Sequence, residues 1–176
     1  MSEESLYNSV LDALKKRFMT LGDVHLEITA KKFSYEMKQE LDDYSLFILN
    51  IEKMSPDLTG FIRNKAKFGK SKPIIVVEIK KRPTLKDIYQ TKRYAEILNA
   101  TYALLISPKK FSPERRKFLM KRREEITRFH PNSQVLIGQS RRTGENKTHP
   151  NVFPMSIQID KDLYYNVPEP FKEESK

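Results

Sequence analysis

Apolar side chains recur at Leu6, Val10, Leu11, Leu14 and Phe18, close to i, i+4, i+8. This spacing predicts an amphipathic helix over Glu3 to Met19 that ends by Gly22. From Val24 the string VHLEITAKKF alternates and carries β-branched residues, which predicts a strand. A polar stretch from Glu36 to Asp43 separates it from YSLFILNI, Tyr44 to Ile51, read as a second strand. MSPDLTGFI contains Pro56 and Gly60 and reads as a turn, or as a strand interrupted by one. RNKAKFGKSK, Arg63 to Lys72, lacks apolar periodicity and reads as a basic loop or hairpin tip.

The next run, KPIIVVEIKKRP, is a strand whose far end carries Glu78 and Lys80 on one face, because strand side chains alternate. Thr84 with Asp87 three residues on resembles a capping box. It opens a helix with Leu85, Ile88, Tyr89, Ala95 and Leu98 as its buried face. TYALLIS, Thr101 to Ser107, is apolar enough to lie inside a sheet. Ser112, Pro113 and Glu114 are a cap, a first-turn proline and an acid at the positive dipole end, and they start a helix to about Phe129. Its apolar stripe, Phe118, Leu119, Ile126 and Phe129, is narrow. VLIGQS and VFPMSIQI are later short strands, and residues 168–176 form an expected flexible tail. Three consecutive strands favour antiparallel pairing, and a strand, helix, strand unit favours one parallel crossover. The predicted fold class is α/β, a mixed central sheet flanked by helices, in a single domain over 1–167 with a core at about 4–107 and a C-terminal extension over 108–167.

At 176 residues the chain is long enough to bury one core of ordinary size, and ten Phe with eight Tyr supply material for it. It has no cysteine, which excludes disulfides, thiol nucleophiles and zinc–thiolate sites. Any metal would take oxygen or imidazole ligands. MSEESLYNSV lacks the pattern of a signal peptide, and no apolar run reaches the roughly 20 residues of a membrane helix. No membrane partner and an intracellular, cytoplasmic location are therefore expected.

The net charge of +10 is concentrated. Residues 61–150 hold 23 Lys and Arg against 7 Asp and Glu, whereas residues 1–60 hold 7 against 11. Such a polycation is expected of a phosphate-backbone binder, or of a merely lysine-rich solvated surface. Its densest clusters are Arg63, Lys65, Lys67, Lys70 and Lys72, then Arg115, Arg116, Lys117, Lys121, Arg122 and Arg123. Few aromatic residues interleave with either, which favours backbone contact over base stacking. His25, His130 and His149 show no metal-ligand spacing, although His149 beside Lys147 could meet phosphate. With five glycines there is little room for a glycine-rich phosphate loop.

Glu78 and Lys80 alone could be a solvated ion pair at a strand end. If the Asp57 and Glu78 segments are neighbours, the two carboxylates can converge on one hard cation. Mg²⁺ suits such a pair, with the Ile79 backbone carbonyl as a further oxygen donor. Lys80 would then orient or deprotonate an attacking water and stabilise developing negative charge.

The strings Pro56-Asp57 and Glu78-Ile79-Lys80 resemble the signature of the PD-(D/E)XK nuclease superfamily, and the order αβββαβ over roughly Leu6 to Ser107 resembles its restriction-endonuclease-like core. Gln90 and Tyr94, in QTKRY, are similar to the Gln-x-x-x-Tyr pattern of its RecB-type members, and at i, i+4 they share a helix face. Read without the family, they are a polar helix face. The resemblance implies Asp57 and Glu78 as metal ligands, Lys80 as the water-handling amine, and Gln90 and Tyr94 beside the active site. It also points to the first helix, where Glu4 and Glu3 are adjacent candidates for a further metal contact. The expected function is an Mg²⁺-dependent deoxyribonuclease, with Mn²⁺ as a substitute and DNA as partner. The alternatives are a catalytically inactive nucleic-acid-binding protein on the same fold, or a Holliday-junction-resolvase-like endonuclease, for which a homodimer would be required.

Overall fold

The computed structural model describes residues 4–131, 133–143, 155–164, 167–169 and 171–172. His149 and Lys147, and Glu3 on the expected first helix, lie outside the described residues.

Helix α1 (Glu4–Phe18) buries Leu6, Val10, Ala13, Leu14 and Phe18, so its predicted apolar stripe is the face it turns to the core. Strand β1 (Asp23–Ile28) follows. The polar stretch after it includes helix α2 (Tyr35–Glu40), capped by Ser34, whose hydroxyl accepts the Met37 N–H.

Tyr44 to Ile51 is not the expected strand but helix α3 (Asp43–Ile51). The Asp42 carboxylate caps it by accepting the Ser45 N–H at 2.8 Å, and the Ser45 hydroxyl also donates to the Ile97 carbonyl. Only Ser45 and Leu49, four apart, are buried, while Tyr44, Phe47 and Ile51 are exposed. A continuous apolar run has no period of its own, so the cap decides between helix and strand.

The second strand is instead β2 (Leu58–Arg63), in the segment read as a turn or as a strand interrupted by one, and it is buried except at Arg63. Gly60 is needed there for close approach, since a Cβ would lie 2.2 Å from the His25 carbonyl oxygen on β1. The basic segment after β2 contains the short helix α4 (Lys65–Phe68). Strand β3 (Ile74–Ile79) is buried at every position, including Glu78.

Helix α5 (Leu85–Ile97) begins as expected, with the Asp87 carboxylate accepting the Thr84 N–H at 2.7 Å. Its buried face includes Ile88, Thr91, Tyr94 and Ala95, while Tyr89, expected inside, is exposed. Strand β4 (Tyr102–Ser107) leads to helix α6 (Pro113–Thr127), which ends short of Phe129 because Arg128–His130 forms strand β5. Phe118 of the expected stripe is exposed, and Leu119 and Ile126 carry the packing. Strands β6 (Ser133–Arg142) and β7 (Met155–Ile159) and a 3₁₀ turn at Lys161–Leu163 complete the described elements.

The strands form one mixed sheet in the order β1-β2-β3-β4-β6-β5, with β7 also paired to β6. β1, β2 and β3 pair antiparallel, and β3, β4 and β6 run parallel. The expected α/β class is therefore observed, as are the antiparallel hairpins and the parallel crossover through α5. In the tail expected to be flexible, Phe171 is buried edge-on against the Phe18 ring, at 5.5 Å between centroids.

Candidate active site

The register of β2 and β3 places the candidate carboxylates. Leu58 lies opposite Val77, so Asp57, immediately before β2, falls beside Glu78 near the end of β3. Asp57 thus precedes its strand, whereas the sequence reading placed it after one. Its position is fixed from three sides. The Tyr7 hydroxyl on α1 donates to Asp57 Oδ1 at 2.6 Å, and the Ile79 N–H donates to Asp57 Oδ2 at 2.7 Å. The Thr29 N–H donates to the Asp57 carbonyl at 2.9 Å, while the Thr29 hydroxyl donates to the Pro56 carbonyl.

Glu78 is 1% exposed. Lys80 Nζ lies 2.7 Å from its Oε1, and Gln90 Nε2 donates to the same oxygen at 3.1 Å. Gln90 Nε2 is also 3.1 Å from the Tyr94 hydroxyl, so the two helix positions four apart meet the strand carboxylate as one unit. Glu78 Oε2 is buried without a hydrogen-bond partner. Burial and the neighbouring Asp57 charge push the Glu78 carboxyl up to about 7, against the opposing pull of Lys80. Burial also raises the Tyr94 hydroxyl above its ordinary value.

Asp57, Glu78, Lys80, Gln90 and Tyr94 are thereby brought together. In an extended strand the N–H and C=O of one residue point toward the same neighbour, so the Ile79 carbonyl also faces the Asp57 side. Glu4 does not join them: it is exposed in the first turn of α1. Among the described residues no group of three or more His, Cys, Asp or Glu is placed to hold a metal ion. The residue α1 does contribute is Tyr7, one turn further on, which sequence reasoning missed. Its spacing from Leu11 and Leu14 marked a core-facing turn, but nothing local marked a hydroxyl aimed at Asp57.

The donor set fits a hard divalent cation. An unpartnered buried carboxylate oxygen beside a second buried carboxylate, facing a single ammonium, is an arrangement that a cation with oxygen preference would complete.

The cationic clusters are less open than their sequence implies. Arg63 pairs with Glu36 at 2.9 Å and Glu40 at 3.5 Å, Lys72 with Glu40 at 2.6 Å, and Lys67 with Glu169 at 2.6 Å. Arg116 binds Asp160 through two hydrogen bonds of 2.9 Å and also contacts Asp162. Arg122 pairs with Glu125, and Arg123 donates to the Leu163 carbonyl. Arg63, Lys67, Lys72, Arg116 and Arg123 thereby tie separate segments together, whereas Arg122 pairs within its own helix. Lys70, Arg115, Lys117 and Lys121 are exposed, and the Lys65 side chain lies outside what is described. His25 stacks on Phe61 and bonds Glu27 at 2.8 Å, a structural role.

Fold and site together define a mixed α/β protein with a buried carboxylate pair, a lysine and a Gln–Tyr couple at the end of one central strand. No protein-family model matches the sequence, and a search of curated proteins finds no match either. Among the described residues no helix is long and apolar enough to cross a membrane.

Proposed function

We propose that the protein is a divalent-metal-dependent nuclease that hydrolyses DNA phosphodiester bonds. The observation that carries the reading is the unpartnered Glu78 Oε2 beside Asp57, with Lys80 Nζ 2.7 Å from the other Glu78 oxygen. Asp57 and Glu78 would hold Mg²⁺ or Mn²⁺, which when bound supplies an acidified water and offsets negative charge at phosphorus. Lys80 reaches the same space from a half-buried position, so its ammonium can donate to the attacking oxygen and to charge developing on the phosphate. Gln90 fixes Glu78 and Tyr94 in one hydrogen-bonded frame, which keeps the carboxylate in place as the reaction proceeds.

Incubation with linear, branched and single-stranded DNA plus Mg²⁺ or Mn²⁺ tests this directly. Cleavage should require Glu78 and Lys80, and equal background cleavage by wild type and Glu78→Ala refutes it. A second reading, a nucleic-acid binder without turnover, is favoured by both Asp57 oxygens already accepting hydrogen bonds. Calorimetric titration with Mn²⁺ separates the two: a site lost in Asp57→Ala supports the enzyme.

A further inference from the structure

The loop after β1, helix α2 and helix α3 enclose a groove of about 610 Å³. Its floor is apolar, built from Phe33, Leu46, Leu49 and Met54. Its rim carries four exposed lysines, Lys31, Lys32, Lys38 and Lys53, and no carboxylate lines it. Among the described residues none of the four forms an ion pair, unlike Arg63, Lys67, Lys72 and Arg116. Four uncompensated ammonium groups around one concave surface select a polyanion.

The chain ties the groove to the site: Ser55, which lines it, is two residues from Asp57. Lys53 occupies a left-handed backbone conformation, φ 50°, just past α3. The equivalent positions past α4 and α5 hold Gly69 and Asn99, residue types that adopt it readily. Lys53 thus stands at the rim in a conformation that glycine adopts more readily.

We infer that this groove binds a single nucleic-acid strand, with unstacked bases on the Phe33–Met54 floor and phosphates on Lys31, Lys32, Lys38 and Lys53. The inference rests on the nuclease reading and supplies its substrate class. Bases stacked inside a duplex cannot lie on an apolar floor, whereas a single strand presents a base face and a phosphate at every residue. The strand so held runs on toward Asp57 and Glu78.

The test is fluorescence anisotropy of a labelled oligodeoxythymidine with the full chain in EDTA, over a range of salt. The variants are Lys32→Gln/Lys53→Gln in the groove and Lys15→Gln/Lys16→Gln on α1, each checked for an unchanged melting transition. The groove variant is expected to bind about 10-fold or more weakly, with a salt slope shallower by roughly 1.4, since each phosphate contact contributes about 0.7 on single strands. The α1 variant should stay within about twofold of wild type, and a hairpin duplex should compete poorly. Absence of binding by wild type, unchanged binding by the groove variant, or equal competition by duplex or polyglutamate would overturn the inference. Glu78-dependent cleavage with groove-independent binding would sink this inference and leave the nuclease reading standing. Groove-dependent binding without metal-dependent cleavage would do the reverse.

Discussion

Replacing Glu78 with Gln in metal-free protein should stabilise the fold at pH 8 and leave it little changed near pH 4.5. The carboxyl is pushed up from 4.5 to about 7 by burial and by Asp57, so the native state holds a proton that the unfolded chain releases between those values. A raised carboxyl contributes stability that is fully present below pH 4.5 and is lost as pH rises through about 7. At about 1.36 kcal/mol per pKa unit, the loss is roughly 3 kcal/mol. The amide carries no proton to lose and no charge to bury, while Lys80, half-buried, can turn to solvent. Urea unfolding of both proteins in EDTA at half-unit pH steps reads the effect as a stability difference that grows with pH. Thermal melts should separate by about 6–12 °C at pH 8 for a chain of this size. A difference between variant and wild type that stays constant from pH 4.5 to 8 would refute the claim that Glu78 is held near neutrality by its surroundings.

Three further substitutions probe the supports of the site. Tyr7→Phe removes the donor to Asp57 Oδ1 and should cost about 1 kcal/mol in urea unfolding, with weaker Mn²⁺ binding by calorimetry. Gly60→Ala sets a methyl group 2.2 Å from the His25 carbonyl and should destabilise by about 3 kcal/mol, because backbone rather than a flexible side chain must yield. Lys53→Gly relieves a left-handed backbone and should raise stability by about 1 kcal/mol in the same assay.

How much of the fold was legible followed from whether a local signal had one interpretation. The stripe of α1, the capping of α5 by Asp87 and the buried run of β3 each specify an element and its partner surface. Tyr44 to Ile51 does not, because every second and every third position is apolar alike; the Asp42 cap and the Ser45 bond to Ile97 decide it. β2 was hidden by the opposite problem. Gly60 reads as a break, yet its missing side chain is what lets β1 lie alongside. The two errors compensated, leaving three strands ahead of α5, with the second in a different place.

The site was more legible than the surface around it, for a physical reason. Glu78 and Lys80 sit at the end of one strand, and Gln90 and Tyr94 on the following helix, where spacing of two and four residues fixes geometry locally. Asp57 needed only the register of one antiparallel pair. Surface charge obeys no such local rule: whether a cation is open depends on acids delivered from distant segments. Glu36 and Glu40 neutralise Arg63 and Lys72 across the fold, and Asp160 and Asp162 do the same to Arg116. Conversely, the N-terminal third is acidic in sum, yet its lysines at 31, 32, 38 and 53 face no carboxylate in their groove. Charge counted along the chain thus points to α6 and the segment around Lys67, whereas charge counted in space points to the groove beside Asp57.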